Sequence, residues 1–425
     1  MKILTKIFAL IILLSNINLT AQGLKFATQE QISEFEDVPQ DYGFAGDLPI
    51  RYSLEKYVPP VMTQKGGTCV GWSSLYYGLS TMYNAAFEVT NPRDKFVHAF
   101  DPYFIYSLMQ SDVNHCDDGL YMKQAFINLR SVGTKKMFLP PFTTCDESWN
   151  EEKFNSVTKL TLPYSIENYY YFDLSNPNLD LVGGVKKQIA NKSPVIVGMA
   201  FKKSMYSYSS ENTFGVDDDG LWTPRQSEEI DGGHAMAVIA YDDYKYGGAF
   251  KLVNSWGYDY GDNGYLWVKY SDFVEHTAEA YVMGLNENVK PNPQYKEGID
   301  GNGYVRYGYN NEGKISTYEG QYMSDNINGL GIWHNTTTDT HFAGYFNNGQ
   351  MEGYFLVYDE DGMFSTYVRN GKFEDWTKLG FAAGGDDGVI ETQMSAEVYF
   401  DKLDLGFSGI RTSNSTSSLV QSKNE

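Results

Sequence analysis

One cysteine, set between a glycine-rich turn and an apolar segment, constrains this chain more than any other residue. Cys69 follows Gly66 and Gly67, and apolar residues then recur at helical spacing, namely Leu75, Leu79, Met82 and Ala86. The pattern predicts a helix that begins near Cys69, where the backbone dipoles favour a thiolate. A lone cysteine in this position is also a common small core residue. A nucleophilic role therefore requires a base elsewhere in the chain.

A histidine and an asparagine downstream are candidates for the base and for its orienting group. His234 follows Gly232 and Gly233 and is predicted to open an apolar strand. Asn254 is predicted to end the next strand, which starts at Phe250, and Gly261–Lys269 is predicted to return as a third. Each residue alone is more typical of a turn or a structural position. On adjacent strands, the asparagine carbonyl can accept from one imidazole nitrogen and leave the other to face the cysteine.

The overall charge limits the possible partners. The 425 residues have a formal net charge of −21, which argues against nucleic-acid binding and against an anionic membrane surface. The chain is 42% apolar and contains 34 Tyr and 41 Gly residues. At this length it can form two domains with a sizeable core.

The amino-terminal segment is typical of a secretory signal peptide. Lys2 and Lys6 precede the apolar run Ile7–Leu14, and a polar exit ends at Ala21. We therefore expect residues 1–21 to be removed and the mature protein, with a charge of −23 after loss of two lysines from −21, to be exported. No later stretch has the roughly 20 apolar residues that a transmembrane helix needs. Residues 22–47 are predicted to form a short leader.

Export gives meaning to the three cysteines, Cys69, Cys116 and Cys145. In an oxidising compartment they suggest one disulfide and one reduced thiol. The alternative is that all three are reduced and buried.

The region from 300 to 375 contains aromatic and glycine-rich repeats. Copies start at Tyr318, Phe342 and Phe364, which are 24 and then 22 residues apart, and Tyr304–Tyr309 resembles a degenerate first copy. This period suits one β-hairpin per repeat. The region resembles MORN repeats, which implies a stacked hairpin array that binds a protein or a glycan or lipid ligand, or else acts as a spacer. Residues 376–425 lack the repeat and are predicted to be disordered at their end.

Residues of about 48–285 resemble the papain-like cysteine peptidases, and the peptidase domain is predicted to span 48–290. The order Gln64, Cys69, His234, Asn254 matches the order of the family's oxyanion glutamine, nucleophile, base and orienting asparagine. The most specific match is Asn254-Ser-Trp-Gly257, followed by Gly261-Asp-Asn-Gly264. The implied fold is α+β and two-lobed, with a helical left lobe and an antiparallel β right lobe.

The resemblance also implies an activity, which is thioester-forming endopeptidase cleavage of a protein or peptide substrate. Neither a metal nor an organic cofactor is expected. Trp256 is expected to cover the bond between Asn254 and His234. If Cys69 is the nucleophile, the disulfide is Cys116–Cys145.

Several features depart from the family pattern. Val70 replaces the usual aromatic residue after the nucleophile, and Gln64 precedes Cys69 by one residue fewer than usual. An insertion is expected at 204–230, where Asp217–Asp219 is predicted to be a solvated turn, with calcium binding as the alternative. The departures leave a second hypothesis, a weak or inactive peptidase fold that acts as a binding module. A thiol-dependent acyltransferase would use the same triad.

Overall fold

The computed structural model describes most of the chain between residues 23 and 378. The described ranges are 23–32, 35–39, 42–108, 115–139, 164–206, 215–225, 227–285, 303–311, 314–323 and 326–378. The predicted signal peptide, Cys145 and almost all of the predicted tail lie outside these ranges. The predicted Cys116–Cys145 disulfide is therefore also outside them.

A long buried helix that starts at Cys69 forms the centre of the first lobe. It consists of α2 (Cys69–Gly71), a π-helical stretch (Trp72–Leu79) and α3 (Ser80–Ala86), joined end to end. Every residue of the π-helical stretch is buried. The helix predicted from the apolar spacing is thus present, but it is buried on all sides and is not amphipathic.

Short helices surround this central helix, and the elements of the leader precede it. In chain order the leader forms β1 (Leu24–Lys25) and α1 (Gln29–Ile32), and the lobe adds α4 (Pro92–Val97), α5 (Phe104–Ser107), α6 (His115–Asp118), β3 (Leu120–Tyr121) and α7 (Met122–Ser131). Helix α7 starts at Met122, directly after Leu120 and Tyr121, which pair as a strand with the leader. Three-residue 3₁₀ helices lie at Glu55–Tyr57, Lys203–Met205 and Lys245–Gly247.

The second lobe is a seven-stranded antiparallel sheet. Its order is β10-β9-β8-β5-β11-β4, and β2 also pairs with β8. The strands are β2 (Arg51–Ser53), β4 (Ile166–Tyr171), β5 (Val195–Lys202), β8 (Ile230–Asp242), β9 (Ala249–Val253), β10 (Tyr265–Lys269) and β11 (Thr277–Leu285). Helices α8 (Leu181–Ala190) and α9 (Tyr270–His276) and the small hairpin of β6 (Gly215–Val216) and β7 (Trp222–Thr223) accompany the sheet.

The carboxy-terminal repeats form a second seven-stranded sheet in which each strand pairs with the next in sequence. The strands are β12 (Gly303–Asn311), β13 (Lys314–Met323), β14 (Asn326–Asn335), β15 (Thr340–Asn347), β16 (Gln350–Asp359), β17 (Gly362–Arg369) and β18 (Lys372–Lys378). Tyr318, Phe342 and Phe364, which start the sequence repeats, lie on β13, β15 and β17. Each repeat is therefore one hairpin, as predicted.

The repeat sheet packs against the helical lobe. Phe96 of α4 contacts Tyr358 of β16 with ring centroids 5.8 Å apart, and Ile332 and Leu356 belong to the same buried apolar cluster. Tyr164 donates a hydrogen bond of 2.6 Å to Glu319 of β13.

Among the described residues, no helix is both long enough and apolar enough to cross a membrane.

Candidate active site

Cys69 starts the central helix with its side chain fully buried. Thr68, at the turn before it, donates its hydroxyl to the Lys65 carbonyl at 2.6 Å, which fixes the entry into the helix. Burial raises the pKa of the Cys69 thiol from 9.0 to about 12, although hydrogen bonds from the Ala235 and Val70 backbones to the sulfur oppose this. Burial therefore disfavours the expected thiolate in this state.

The sequence predicted that His234 opens its strand. The residue instead lies within β8, because the strand already begins at Ile230. Its Nε2 is 2.7 Å from Oδ1 of Asn254. Since a carboxamide oxygen only accepts, Nε2 carries the proton and Nδ1 is left with a lone pair. Within the described part of the chain, this buried Nδ1 has no hydrogen-bond partner. Burial lowers the pKa of His234 to about 4, and the bond to Asn254 opposes the shift.

Asn254 lies directly after β9 and makes two hydrogen bonds besides the one with His234. Its backbone N–H donates to the Gly264 carbonyl at 3.0 Å, and its Oδ1 also accepts from the Ser255 N–H at 2.8 Å. Because β8 and β9 are hydrogen-bonded neighbours and Ala237 pairs with Val253, the part of β8 near His234 lies beside the end of β9 that precedes Asn254. The predicted convergence of these residues on adjacent strands is present in the structure.

Trp256 covers the imidazole. Its ring stacks on His234 with centroids 4.5 Å apart and planes 25° from parallel. On its other side it stacks with Tyr206 at 4.8 Å, and Tyr260 meets it edge-on at 4.8 Å. This is the position in which the sequence places Trp256. Tyr206 was not predicted, because it lies in the insertion, where no motif distinguishes it.

Gln64 lies beside the residue that follows Asn254. Its backbone N–H donates to the Ser255 carbonyl at 2.7 Å, and its Oε1 accepts from the Ser255 hydroxyl at 2.6 Å. Its Nε2 donates to the Gly66 carbonyl at 2.6 Å. An amide nitrogen has two hydrogens, so one donor of Gln64 is engaged by the turn before Cys69 and the second is available for another acceptor.

The leader lies against residues that precede Cys69 and His234 in the chain. A β-carbon on Gly23 would lie 1.7 Å from the carbonyl oxygen of Gly67, two residues before Cys69. A β-carbon on Gly233, directly before His234, would lie 2.8 Å from the Leu24 carbonyl oxygen. The backbone of the leader therefore contacts the chain just before each of the two residues. Cys69 and His234 are both 0% exposed.

Further contacts fix the leader on both lobes. It pairs in parallel with β3, and the Leu120 N–H donates to the Gly23 carbonyl at 2.7 Å. On the other lobe, the Ala27 N–H donates to Oε1 of Glu279 at 2.6 Å. The pKa of this buried carboxyl is raised to about 7 by desolvation, against hydrogen bonds from Ala27 and Tyr281. The sequence predicted a leader here but not the residues that it contacts.

Hydrogen bonds to one carboxylate oxygen hold the Asp217–Asp219 turn. Oδ1 of Asp217 accepts from the backbone N–H groups of Asp219 and Leu221 at 3.1 and 2.7 Å. A turn is therefore present where the sequence predicts one, and calcium binding stays the untested alternative.

Two solved structures illustrate which proteins the chain resembles. Xylellain, a cysteine protease from Xylella fastidiosa, matches with 17% identity, a TM-score of 0.44, and coverage of 64% of this chain and 99% of that one. The bromelain protease from Ananas comosus matches with 16% identity, a TM-score of 0.40, and coverage of 56% and 100%. No curated protein sequence matches the chain.

A protein-family model also matches part of the chain. Residues 107–283 match the model described as papain family cysteine protease. His234 and Asn254 lie inside this region, while Gln64 and Cys69 precede it. The chain therefore carries a papain-family cysteine protease domain at residues 107–283, and its enzyme class is that of a papain-like cysteine peptidase.

Proposed function

We propose that the chain is an exported cysteine endopeptidase in which Cys69 is the nucleophile, His234 the base and Asn254 the orienting residue. The observation that carries this assignment is the state of His234. Its Nε2–H is held by Asn254 at 2.7 Å, and its Nδ1 lone pair is buried without a hydrogen-bond partner in the described structure. The next residue, Ala235, contacts the Cys69 sulfur through its backbone. A base with one nitrogen fixed and the other open, next in sequence to a residue that contacts the thiol, supports a role in nucleophilic catalysis.

The reaction follows from these positions. His234 Nδ1 takes the proton of Cys69, and the sulfur attacks the peptide carbonyl carbon, whose π electrons move to the oxygen. Gln64 Nε2 and the Cys69 backbone N–H stabilise that oxyanion. The C–N bond then breaks, and the amine leaves with the proton from His234. Water next gives a proton to His234 and attacks the thioester, and the departing sulfur recovers that proton.

The covered pair represents a resting state in this proposal. A thiol with a pKa of about 12 and an imidazole with a pKa of about 4 exchange no proton in the ground state. Both shifts are caused mainly by burial, and the leader lies against Gly67 and Gly233, which precede the two residues. Its displacement hydrates the pair, which lowers the pKa of Cys69 and raises that of His234. Both changes favour transfer of the proton.

The same covering also favours the second candidate function, a binding protein with an inactive peptidase fold. In that case the leader would be a permanent part of the core. The two functions differ in what happens when the leader is weakened, because only the peptidase gains a reactive thiol.

The repeat sheet is proposed to be MORN-like and to bind a protein or a glycan or lipid ligand. Aromatic side chains on the array support this, since Tyr345 is 45% exposed on β15. Binding of the Cys69→Ala chain to immobilised glycans, lipids and proteins tests it, with Tyr345→Ser expected to weaken any contact. Absence of binding would leave the array as a spacer.

The first experiment is labelling of the reduced mature protein with an epoxide inhibitor directed at cysteine peptidases, followed by peptide mapping. We expect modification of Cys69, one label per chain, faster once the leader is destabilised and lost in His234→Ala. A chain whose leader has been displaced, in which a small thiol reagent reaches Cys69 but the epoxide does not, would contradict the peptidase proposal.

A further inference from the structure

Tyr260, in the loop between β9 and β10, is tied to Asn254 through the backbone. The Asn254 N–H donates to the Gly264 carbonyl at 3.0 Å, and the Gly264 N–H donates to the Tyr260 carbonyl at 2.6 Å. The Tyr260 ring meets Trp256 edge-on with centroids 4.8 Å apart, and Trp256 in turn stacks on His234. Tyr260 therefore belongs to the group of residues that surrounds the imidazole.

The hydrogen of the Tyr260 hydroxyl already has an acceptor. The hydroxyl donates to the Met205 carbonyl at 3.1 Å. Met205 is fully buried and ends the 3₁₀ helix Lys203–Met205, which fixes the position of this carbonyl. A phenol has one hydrogen to donate and lone pairs that accept. Because Met205 engages the hydrogen, the Tyr260 oxygen can join a second hydrogen bond only as an acceptor.

Asn254 has a donor that matches this acceptor. The residue is 1% exposed, and its Oδ1 is engaged by His234 and by the Ser255 N–H. Within the residues that the structure describes, no acceptor meets its buried Nδ2 at hydrogen-bond geometry. A buried amide N–H without an acceptor is costly, so we expect this donor to find a partner in the catalytic state.

The electrostatics of Tyr260 indicate that this donor faces it. Burial raises the pKa of Tyr260, and a hydrogen bond from the Asn254 side chain opposes the shift. A group lowers the pKa of a phenol when it donates to the oxygen, because it stabilises the phenolate. The contact falls short of full hydrogen-bond geometry in the covered state. Hydrogen bonds of catalytic groups are often long in a resting enzyme and tighten when substrate binds.

The atom that Asn254 presents to His234 decides the tautomer of the imidazole. A carboxamide is nearly symmetric in shape, so its oxygen and nitrogen can exchange places by rotation of the amide. Oδ1 accepts from Nε2–H and leaves the lone pair on Nδ1, where the thiol proton must arrive. Nδ2 in its place would donate to Nε2 and so put the ring proton on Nδ1, which could then accept nothing.

We propose that Tyr260 is a positioning residue whose phenol oxygen accepts the Nδ2–H of Asn254 and thereby keeps Oδ1 on His234. The proposal rests on the proposed function, in which His234 is the base. The Ser255 N–H holds the oxygen end of the amide and Tyr260 holds the nitrogen end, so both contacts favour the same orientation. Tyr260 acts through Asn254 and is assigned no contact with substrate.

The first test reads the tautomer of His234 by NMR. It uses the full mature chain in its Cys69→Ala form, labelled with ¹⁵N-histidine, and a His234→Gln variant assigns the signals. We expect an unprotonated Nδ1 in the parent at neutral pH. In Tyr260→Phe, which keeps the ring against Trp256 but lacks the oxygen, we expect the Nδ1 signal to shift toward that of a protonated nitrogen. The spectrum requires no turnover, so it tests Tyr260 even if the chain hydrolyses no peptide.

The second test is a double-mutant cycle on peptide hydrolysis. Tyr260→Phe is expected to lower kcat about 3- to 10-fold with little change in KM, as loss of one neutral hydrogen bond does. In an Asn254→Asp background the same change should have no further effect, because a carboxylate has two oxygens and no amide to rotate. A purely structural role of Tyr260 would lower activity in both backgrounds.

Tyr241→Phe is the matched control. It also removes a tyrosine hydroxyl that donates to a backbone carbonyl, that of Pro49 at 3.0 Å. We expect it to leave the tautomer of His234 and kcat unchanged. A folded Tyr260→Phe protein with the parent's His234 spectrum, or a loss of kcat that is equally large in the Asn254→Asp background, would overturn the proposal.

Discussion

The backbone of Gly23 lies directly against that of Gly67, in a conformation that a side chain would not tolerate. The φ of Gly23 is +85°, and an added β-carbon would lie 1.7 Å from the Gly67 carbonyl oxygen. Gly67 comes two residues before Cys69, so this contact places the leader beside the proposed nucleophile. The leader is thus joined to the proposed catalytic site at a position that one methyl group disrupts.

Gly23→Ala is therefore expected to displace the leader and to increase activity. Because the steric clash and the positive φ both act on the covered state, we expect a gain of about tenfold or more, which corresponds to about 1.4 kcal/mol of lost leader affinity. The measurement is the rate of epoxide labelling of Cys69 and of hydrolysis of a fluorogenic peptide.

A matched control separates steric contact from backbone strain. Gly247 has φ +80°, and an added β-carbon there would meet nothing within 4 Å. Gly247→Ala should leave both rates unchanged. Equal rates for the parent and Gly23→Ala, with the fold intact, would mean that the leader does not restrain Cys69.

Asn254→Ala is expected to lower kcat about 100-fold while KM changes little. Asn254 acts through His234 and does not contact the reacting atoms, so its loss frees the imidazole to rotate and to exchange its nitrogens. The partial rescue expected from Asn254→Asp, whose carboxylate still accepts from Nε2–H, identifies a positioning role. Asn347→Ala, an exposed residue of the repeat sheet that donates to Glu352, serves as control. An unchanged kcat in Asn254→Ala would show that this residue has no part in the mechanism.

Gln64→Ala is expected to lower kcat by about 10²- to 10³-fold, the usual cost of one oxyanion donor. Gln64→Glu should be equally impaired, because the carboxylate keeps the contact with the Ser255 hydroxyl but has no N–H to donate. Ser255→Ala tests the alternative that Gln64 only supports the loop. If that variant lost as much activity as Gln64→Ala, the role of Gln64 would be structural.

The parts of the site that the sequence predicted are those with a strong local pattern. Cys69 precedes a long apolar segment, and Asn254 follows a short strand bounded by turn residues, so both positions could be read within about ten residues. The start of β8 was misplaced because Asp231, Gly232 and Gly233 are residues that rarely form strands. Pairing with β5 as far back as Lys202 overrides this preference.

The features that the sequence did not predict all depend on contacts between distant residues. Leu24 pairs with Leu120, and Asp94 meets His334 and His341 across about 240 positions. Two-residue strands and scattered histidines carry no periodicity, so only the assembled fold brings them together. The hairpin repeats are the opposite case, because each pairs with its sequence neighbour and the period alone predicts the array.

Glu279 is expected to make stability depend on pH in the direction opposite to most carboxylates. Its pKa is raised from 4.5 to about 7, so the folded state binds more protons than the unfolded state between these values. Stability from this group is therefore fully present below about pH 4.5 and is lost as the pH rises to about 7. A difference of about 2.5 pKa units corresponds to about 3 kcal/mol.

The measurement is urea unfolding from pH 4 to 8, with Cys69→Ala and Cys69→Ala/Glu279→Gln compared at each pH. The lowered pKa values of His234 and His276 destabilise both proteins equally below pH 6.5, so they cancel in the difference. We expect the parent to gain stability relative to the glutamine variant as the pH falls from 7 to 4.5. A difference that stays constant, or that grows as the pH rises, would show that Glu279 is ionised beneath the leader.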